Sequence, residues 1–329
     1  MKKISIVIPV YNESSSIYNL LEEIERNLAN YYDFEIIVVN DCSTDNTLEI
    51  LKKNNSNFLL KIISNKKNLG QSKSILKGVS EAKFEDIVTP INSHAKLTIK
   101  FLKKRKKVLV EKPLLMNKAE KEEILRLNKH QNLLTVSYPY LFSKSLNFVK
   151  KIILSKRLGK LSYIEMNIQQ CGRFMKYGVN HLLGPHALSI LSIFFNIDKI
   201  KLEVKNIIKN KNKTETSIVL CSLKKKLIST INLSLNYTNT SSKKIFIFYC
   251  DKGTIICDLN NKKKTVISFL YKRIVKKNFS IAKKIEFKSK FYDENNNMKY
   301  VLQNFFNSKK NKDNQKLTNK INSFLNDIQ

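Results

Sequence analysis

Cysteine is scarce and scattered in this chain of 329 residues. The 5 cysteines never form a Cys-x-x-Cys pair and stand at positions 42, 171, 221, 250 and 257. Their odd number and irregular spacing argue against a disulfide framework and against a zinc site. The pattern is typical of a reduced, cytoplasmic protein.

Long apolar runs are also missing. The longest in the second half, Ala187–Phe195 (ALSILSIFF), is far shorter than the roughly 20 residues that a membrane-spanning helix requires. Near the start, Pro9 and Glu13 interrupt the apolar stretch too early for a signal peptide. The sequence therefore predicts no membrane span.

Acidic residues are greatly outnumbered, with 27 Asp and Glu against 60 Lys and Arg, and the formal net charge is +33. A surface this basic can attract nucleic acid or anionic lipid. Almost all of the basic residues are lysine, however, whereas base and phosphate recognition favours arginine. We therefore attribute the charge to an AT-rich genome and expect no nucleic-acid partner.

Apolar runs alternate with helical patterns through the first 139 residues. The predicted strands are followed by helices whose apolar residues share one face, and these strands lie at 4–10, 35–40, 59–64, 86–90, 108–111 and 133–138. This alternation predicts a doubly wound parallel sheet.

The pattern changes near residue 140. Predicted helices at 143–156 and 184–196 flank a strand at 162–169, and six β-rich runs follow between 201 and 271. Two further helices, at about 295–308 and 314–327, close the chain. We predict an α+β domain with an open antiparallel sheet at 140–329. Its lysine-rich stretch 273–290 is interpreted as a solvated face.

Three motifs stand in order within the first 83 residues: Ile8–Glu13 (IPVYNE), Val38–Thr47 (VVNDCSTDNT) and Asn68–Ser72 (NLGQS). Together they resemble the start of a family-2 glycosyltransferase of GT-A fold, particularly the polyprenyl- or dolichyl-phosphate sugar synthases. The alternative that Asp41–Thr47 is only a helix cap stays open.

In that family the loops after the first two strands hold a nucleotide sugar. The resemblance implies that Pro9, Tyr11 and Glu13 line a base pocket. It also implies that Asp41 accepts hydrogen bonds from the base or ribose. Ligands of open parallel sheets do bind in the crevice at the carboxyl ends of the strands.

The transferase pattern is incomplete beyond the third motif. The family places an Asp-x-Asp sequence after its fourth strand, and these carboxylates hold the metal that neutralises the leaving diphosphate. No Asp-x-Asp occurs anywhere in this chain. We therefore expect no bound metal and no metal-assisted glycosyl transfer.

Three later motifs belong to a different pattern: Thr89–His94 (TPINSH), Val108–Pro113 (VLVEKP) and Leu183–Ile190 (LGPHALSI). They resemble the glucose–fructose oxidoreductase/inositol dehydrogenase (Gfo/Idh/MocA) family from the fourth strand of its dinucleotide domain to the end of its substrate domain. The resemblance covers residues 86–329 and implies NAD or NADP as the cofactor.

By the same resemblance Lys112 moves a proton of the reacting sugar hydroxyl during hydride transfer, and His186 is a second acid/base or orienting group. Four further residues are expected to border the nicotinamide: Thr89, Pro90, His94 and Glu111. The alternatives stay open that Lys112 is an ordinary surface lysine and His186 a hydrogen-bonded core histidine.

Glycine is missing where this second family needs it. The family has a Gly-rich turn after the first strand so that backbone amides can approach the pyrophosphate. This chain has 7 glycines, none near Val10–Ser16, and no Gly-x-Gly. Leu182 also stands where the family has an Asp that partners the histidine. Ordinary NAD(P) affinity is therefore not expected.

Both families begin with the same strand–helix order, so we predict one hybrid Rossmann-like sheet of order 3-2-1-4-5-6. This domain covers residues 1–139, glycosyltransferase-like to residue 85 and oxidoreductase-like from 86, and the substrate domain covers 140–329. Recombination, deletion or an error in gene assembly would each produce such a junction.

The leading functional hypothesis is an oxidoreductase-type protein of sugar or nucleotide-sugar metabolism with impaired NAD(P) binding. The alternatives are a glycosyltransferase-like nucleotide-sugar-binding protein and a non-catalytic fusion product. If the protein is active as an oxidoreductase, it is an NAD(P)-dependent sugar enzyme. The second resemblance also implies a homo-oligomer formed through the C-terminal sheet.

Overall fold

The computed structural model divides the chain into two compact units, Met1–Ser137 with Lys309–Lys312, and Tyr138–Ser308 with Asp313–Gln329. It describes residues 2–30, 32–53, 58–82, 94–105, 107–129, 133–171, 178–210, 213–238, 242–261, 263, 265–276, 279–292, 297–307 and 312–327.

The first unit alternates strands and helices. In chain order they are β1 (Lys2–Val10), α1 (Ile17–Leu28), β2 (Tyr32–Asn40), α2 (Thr47–Lys52), β3 (Leu59–Ser64), α3 (Gln71–Ser80), α4 (His94–Lys103), β4 (Val108–Glu111), α5 (Lys118–Asn128) and β5 (Leu134–Ser137).

All strand pairs of the first unit are parallel in the part that the structure describes. One sheet has the order β3-β2-β1, and β4 pairs with β5 in another. The predicted α/β class and the predicted order of the first three strands are thus confirmed. The strand predicted at 86–90, which joins the two groups in the hybrid sheet, lies outside the described residues.

The central strand β2 explains why the first sheet forms here. Its run Ile36–Val39 is fully buried, as expected of a parallel strand that is covered on both faces. Helix α3 packs on β1 and β2 and approaches them closely at Gly78. A Cβ atom built on Gly78 would lie 2.4 Å from a methyl carbon of Val7 and 2.7 Å from one of Val39. The close contact of this helix with the sheet therefore requires glycine.

The second unit contains the remaining elements. They are α6 (Lys144–Leu154), β6 (Leu161–Gln169), α7 (Val179–Phe194), β7 (Lys201–Asn210), β8 (Lys213–Leu223), β9 (Lys226–Ser234), β10 (Lys243–Cys250), β11 (Gly253–Asp258), β12 (Val266–Lys276), β13 (Phe279–Lys290), α8 (Asn297–Asn307) and α9 (Lys312–Asn326).

Eight strands of this unit form a single sheet of order β13-β12-β11-β10-β6-β9-β8-β7, in which only β6 and β9 pair in parallel. Helix α7 packs on β6, β8 and β9. The inward residues Ile164 and Met166 of β6 are fully buried, whereas Tyr163 and Glu165 alternate with them on the opposite face and are half-buried. The predicted mostly antiparallel C-terminal sheet is confirmed.

Two elements differ from the sequence-based prediction. Helix α7 begins at Val179, five residues before the predicted start at 184. The lysine-rich stretch forms most of the hairpin of β12 and β13, whose residues pair from Val266 with Lys290 to Lys276 with Phe279. The sequence predicted no element for this stretch, and here each strand supplies the other with hydrogen-bonding partners. No helix in the described ranges is long and apolar enough to cross a bilayer.

Candidate functional site

Three loops follow the carboxyl ends of β1, β2 and β3, where open parallel sheets bind their ligands. The first loop is residues 11–16, the second is residues 41–46, and the third is residues 65–70. Side chains of the second loop bond to backbone amides of both neighbours, so the three loops form one hydrogen-bonded crevice.

The first and second loops are joined by reciprocal bonds. The amide of Asn12 donates to the Ser43 hydroxyl at 3.0 Å, and the amide of Thr44 donates to the Asn12 side-chain oxygen at 2.8 Å. Asn12 adopts a left-handed backbone conformation with φ of 56°, which asparagine tolerates better than most residues. This conformation turns the first loop back over the second.

Further amides of the first loop find acceptors at the start of α2. The Glu13 amide donates to the Thr47 hydroxyl at 2.8 Å, and the Ser14 amide donates to Asp45 Oδ2 at 3.1 Å. The other oxygen, Asp45 Oδ1, accepts from the Thr47 amide at 3.0 Å and from the Thr47 hydroxyl. These bonds, the one from the Thr47 hydroxyl above all, lower the pKa of Asp45 well below its ordinary value.

Asp41 joins the second loop to the third. Its Oδ1 accepts from the Asn65 side-chain amide and from the Leu69 backbone amide, each at 2.8 Å, and its Oδ2 accepts from the Gly70 amide at 2.7 Å. Only 3% of Asp41 is exposed. Burial by itself raises the pKa of this carboxyl, but the hydrogen bonds from Leu69, Asn65 and their neighbours outweigh it and lower the pKa.

The other residues predicted for the base pocket lie at the mouth of the crevice. Pro9 is half-buried near the end of β1, and the ring of Tyr11 is 47% exposed just beyond it. Glu13 is exposed, and its carboxylate accepts a hydrogen bond from the Ser16 hydroxyl. Ser16 is the N-cap residue of α1 but makes no side-chain cap to that helix. The contacts of Pro9, Tyr11, Glu13 and Asp41 with a ligand stay predictions.

Sequence reasoning missed four residues that build the crevice: Asn12, Ser43, Thr47 and Asn65. The first three lie inside the quoted motifs, so their hydroxyl and amide groups were a usable signal. Asn65 precedes the third motif, follows β3 directly and is buried, and its side chain bridges Asp41 and the Ser74 hydroxyl at 2.8 Å each. A polar residue directly after a predicted strand was the signal for it.

The residues predicted around a nicotinamide fall partly outside the described ranges, which contain neither Thr89 nor Pro90. His94 begins α4 and is buried, with its Nδ1 atom 2.9 Å from the carbonyl oxygen of Pro113. Glu111 ends β4, and Lys112 follows it, both half-buried. The structure thus brings His94 next to the turn that contains Lys112 and Pro113.

His186 lies in the second unit, on α7, and is half-buried. Its ring meets that of Tyr140 edge-on, with the ring centroids 5.2 Å apart. Leu182 stands one turn earlier, and the neighbouring His181 has a pKa that burial lowers. The roles of Lys112 and His186 stay predictions.

The amides of the first loop are engaged differently from those that hold a pyrophosphate in dinucleotide-binding folds. In the dinucleotide-binding arrangement, amides after the first strand point at the phosphates, but here the amides of Asn12, Glu13 and Ser14 already donate within the chain. Among the described residues, no group of three or more His, Cys, Asp or Glu side chains is placed to hold a metal ion.

Comparisons with known proteins give one result for the sequence of the front of the chain and another for the fold of the whole chain. The family description "Glycosyl transferase family 2" matches residues 5–160. The poly(ribitol-phosphate) beta-N-acetylglucosaminyltransferase TarS of Staphylococcus aureus is 37% identical over 70 residues, which are 21% of this chain and 12% of that protein. Dolichol-phosphate mannosyltransferase of Pyrococcus furiosus is 35% identical over 80 residues, 24% of this chain and 22% of that protein.

An undecaprenyl-phosphate 4-deoxy-4-formamido-L-arabinose transferase of Proteus mirabilis is 34% identical over 93 residues, 27% of this chain and 28% of that protein. The chain thus spans well under a third of the length of these curated relatives. The likeness to family-2 glycosyltransferases that the front motifs indicated is confirmed.

Solved structures give the likeness of the whole fold. UDP-N-acetylglucosamine 3-dehydrogenase GnnA of Acidithiobacillus ferrooxidans superposes with a TM-score of 0.66 and 11% identity, covering 98% of this chain and 96% of that one. The 3-ketoreductase KijD10 of Actinomadura kijaniata, solved with TDP-benzene and NADP, gives 0.66 and 10%, covering 97% and 94%.

The WlbA dehydrogenase of Bordetella pertussis, solved with NADH and UDP-GlcNAcA, gives a TM-score of 0.54 and 14% identity over 78% of this chain and 74% of that one. At identities this low, structural similarity shows a shared fold and nothing further. The chain therefore shares its fold with these sugar dehydrogenases and ketoreductases, whereas its front sequence resembles family-2 glycosyltransferases, and the two resemblances that the motifs indicated are confirmed.

Proposed function

We propose that the protein acts in nucleotide-sugar metabolism and binds a nucleotide sugar in the crevice formed by its first three loops. The single observation that carries this proposal is the hydrogen-bonded connection of the three loops through Asp41 and Asp45. Such a connection fixes the crevice before any ligand arrives, and preorganised sites lose less free energy on binding.

Tyr11 is the residue best placed to contact a base. Its aromatic ring is almost half exposed directly after β1, and every nucleobase has a face that can stack on such a ring. Stacking of one base on an aromatic side chain contributes about 1–3 kcal/mol. This supports the assignment of Tyr11 to the base pocket that the glycosyltransferase resemblance implies.

Titration of the full chain with uridine and guanosine diphosphates tests the proposal. We expect saturable binding of one of them, at least about fivefold weaker in Tyr11→Ala and nearly unchanged in Tyr11→Phe, because phenylalanine keeps the ring. Tyr18→Ala is a matched control, since Tyr18 is an equally exposed ring on α1. Absence of binding to the unmodified protein contradicts the proposal.

A second candidate function is hydride transfer to or from a sugar carbon, which the shared fold favours. His94 contacts the Pro113 carbonyl and so supports the turn that carries Lys112. When bound, NAD or NADP would supply the hydride. Lys112 would hydrogen-bond the reacting oxygen of the sugar and move its proton, and His186 would orient the sugar.

Impaired NAD(P) binding is part of this second proposal, because the first loop has no glycine and its amides donate within the chain. Titration with NADH and NADPH, followed by cofactor fluorescence, tests it. Sugar-dependent oxidation at millimolar cofactor, lost in Lys112→Ala and kept in the control Lys118→Ala, supports hydride transfer. No cofactor binding at that concentration contradicts catalysis of this kind.

A non-catalytic fusion remains the third interpretation, and unchanged behaviour of both Asp41→Ala and Lys112→Ala in these assays would favour it. Association through the C-terminal sheet also stays a prediction. On β10, Tyr249, which is 38% exposed, and the half-buried Ile247 alternate with the buried Phe246 and Phe248. Light scattering of the purified chain measures the oligomeric state, and a Tyr249→Lys substitution that converts a dimer to a monomer would locate the interface.

A further inference from the structure

The turn after β1 contains an anion of the protein itself. Asp45 Oδ2 accepts the Ser14 amide at 3.1 Å, and Ser14 lies just before the start of α1. In doubly wound folds this is the place where a helix N-terminus and its preceding amides receive a phosphate. A carboxylate here satisfies the same donors that a phosphate oxygen would satisfy.

This carboxylate is held firmly in place. Its second oxygen accepts both the amide and the hydroxyl of Thr47, at the first position of α2. Thr47 is completely buried and its hydroxyl also accepts the Glu13 amide at 2.8 Å. Displacing Asp45 from Ser14 would therefore disturb the bonds that attach α2 to the first loop.

The second loop also supplies an acceptor to the amides that precede α3. Asp41 accepts the amides of Leu69 and Gly70, which directly precede α3. One loop between β2 and α2 thus supplies a carboxylate to the beginning of the helix on either side of it. Helix N-termini attract anions electrostatically. At the beginnings of α1 and α3, side-chain carboxylates of the protein already accept bonds from the backbone amides.

We propose that Asp45 is a specificity-determining residue that closes the turn after β1 to phosphate groups. The crevice consequently discriminates against the pyrophosphate of a dinucleotide. This inference stands on the geometry of Asp45 and does not require the proposed function.

Inorganic pyrophosphate and NADH are the probes, used with the full chain at 150 mM salt so that the basic surface is screened. In the unmodified protein, we expect pyrophosphate to leave the backbone amide resonances of Asn12, Glu13 and Ser14 unchanged. In Asp45→Asn, which removes the charge but keeps an acceptor oxygen, we expect these resonances to shift. Pyrophosphate should also bind about tenfold more tightly, because a like charge nearby has been removed.

Glu49→Gln is the matched control. It removes one negative charge from α2 at an exposed position outside the turn, so it reports the effect of net charge alone and should leave the three resonances unaffected. Asp45→Ser is a second variant, because serine caps a helix well while leaving more room at Ser14. NADH, like pyrophosphate, should bind more tightly to both Asp45 variants than to the unmodified protein.

Perturbation of the Ser14 amide by pyrophosphate in the unmodified protein overturns the proposal, whether or not the variants fold. Folded Asp45→Asn and Asp45→Ser proteins without any gain for pyrophosphate overturn it as well. A gain for pyrophosphate in a protein that binds no uridine or guanosine nucleotide supports the closure of the turn and contradicts the proposed function, so the two outcomes are distinguishable.

Discussion

The two candidate sites of this protein differ in how far apart in sequence their residues lie. The front crevice is built from three consecutive loops within residues 11–70, and each loop bonds to the next. Of the residues predicted for the oxidoreductase site, Lys112 lies in the first unit and His186 in the second. A short stretch of sequence thus carries the whole crevice, whereas the residues predicted for the second site lie far apart in the chain.

This difference explains why the front keeps a recognisable sequence while the whole chain keeps only a fold. Relatives of the front share 34–37% identity over 70–93 residues, and several residues of its loops have specific hydrogen-bonding partners. The three solved structures described above are 10–14% identical to this chain, and a fold can persist at such identities because cores tolerate extensive replacement among apolar residues of similar volume.

Among the substitutions that test this comparison, Asp41→Ala is expected to lower the free energy of unfolding most. The amides of Leu69 and Gly70 and the side chain of Asn65 each lose a bond to the buried Asp41 carboxylate. At about 1 kcal/mol for each lost bond, the free energy of unfolding should fall by about 3 kcal/mol. Urea titration followed by amide resonances of β1–β3 measures it. The exposed Glu49→Ala is the control, and an equal loss in that variant would contradict the interpretation.

Gly78→Ala should have the next largest effect. The added methyl group collides with Val7 and Val39, and overpacking of this kind costs about 1–3 kcal/mol. The same urea titration detects the loss. Ser80→Ala, at an exposed position of the same helix, should change the free energy of unfolding by less than about 0.5 kcal/mol. A Gly78→Ala protein as stable as the unmodified chain would show that α3 does not press on the sheet as described.

Tyr138→Phe tests the second unit and should cost less. The buried Tyr138 hydroxyl lies 3.2 Å from the Thr318 hydroxyl, which itself donates to the Asn314 carbonyl oxygen. Loss of the single tyrosine bond should lower the free energy of unfolding by about 1 kcal/mol. Amide exchange in α9 should accelerate while exchange in β1–β3 stays constant. Faster exchange in both regions would break the comparison drawn above.

The smallest effect concerns pH. Because hydrogen bonds lower the pKa of Asp41 in the folded chain, its carboxylate contributes stability above the ordinary pKa of 3.8 that is lost as the pH falls through the lowered folded value. Exchange of the Leu69 amide should therefore accelerate in acid below that ordinary pKa. Asp41→Asn should abolish this particular pH dependence, and an unchanged profile in that variant would assign it to other groups.

The sequence was sufficient for the elements with strong periodicity. The run of apolar residues in β2 and the alternation of strands and helices predicted the first sheet, because a strand buried on both faces leaves an unbroken apolar pattern. The stretch 273–290 was left without an assigned element because its lysines interrupt any clear apolar period. The backbone groups of β12 and β13 bond to one another. The lysine side chains of this stretch do not reveal that pairing in the sequence.

The candidate site was predictable only as a location. The motifs indicated Asp41 and Tyr11, but they did not reveal that both oxygens of Asp41 accept bonds from the third loop. Nor did they reveal the bond from Ser14 to Asp45. Such partners are 24–31 residues apart, and only the folded sheet brings them together.

The contact of Gly78 with Val7 and Val39 has a consequence for inheritance. Every atom of that contact belongs to the first 82 residues, so a genetic exchange just downstream carries the helix and both of its supporting strands across as one cassette. Selection would then have to repair only the new neighbours of the cassette. A chain assembled from two sources can in this way keep the packing that one of its parts had before the exchange.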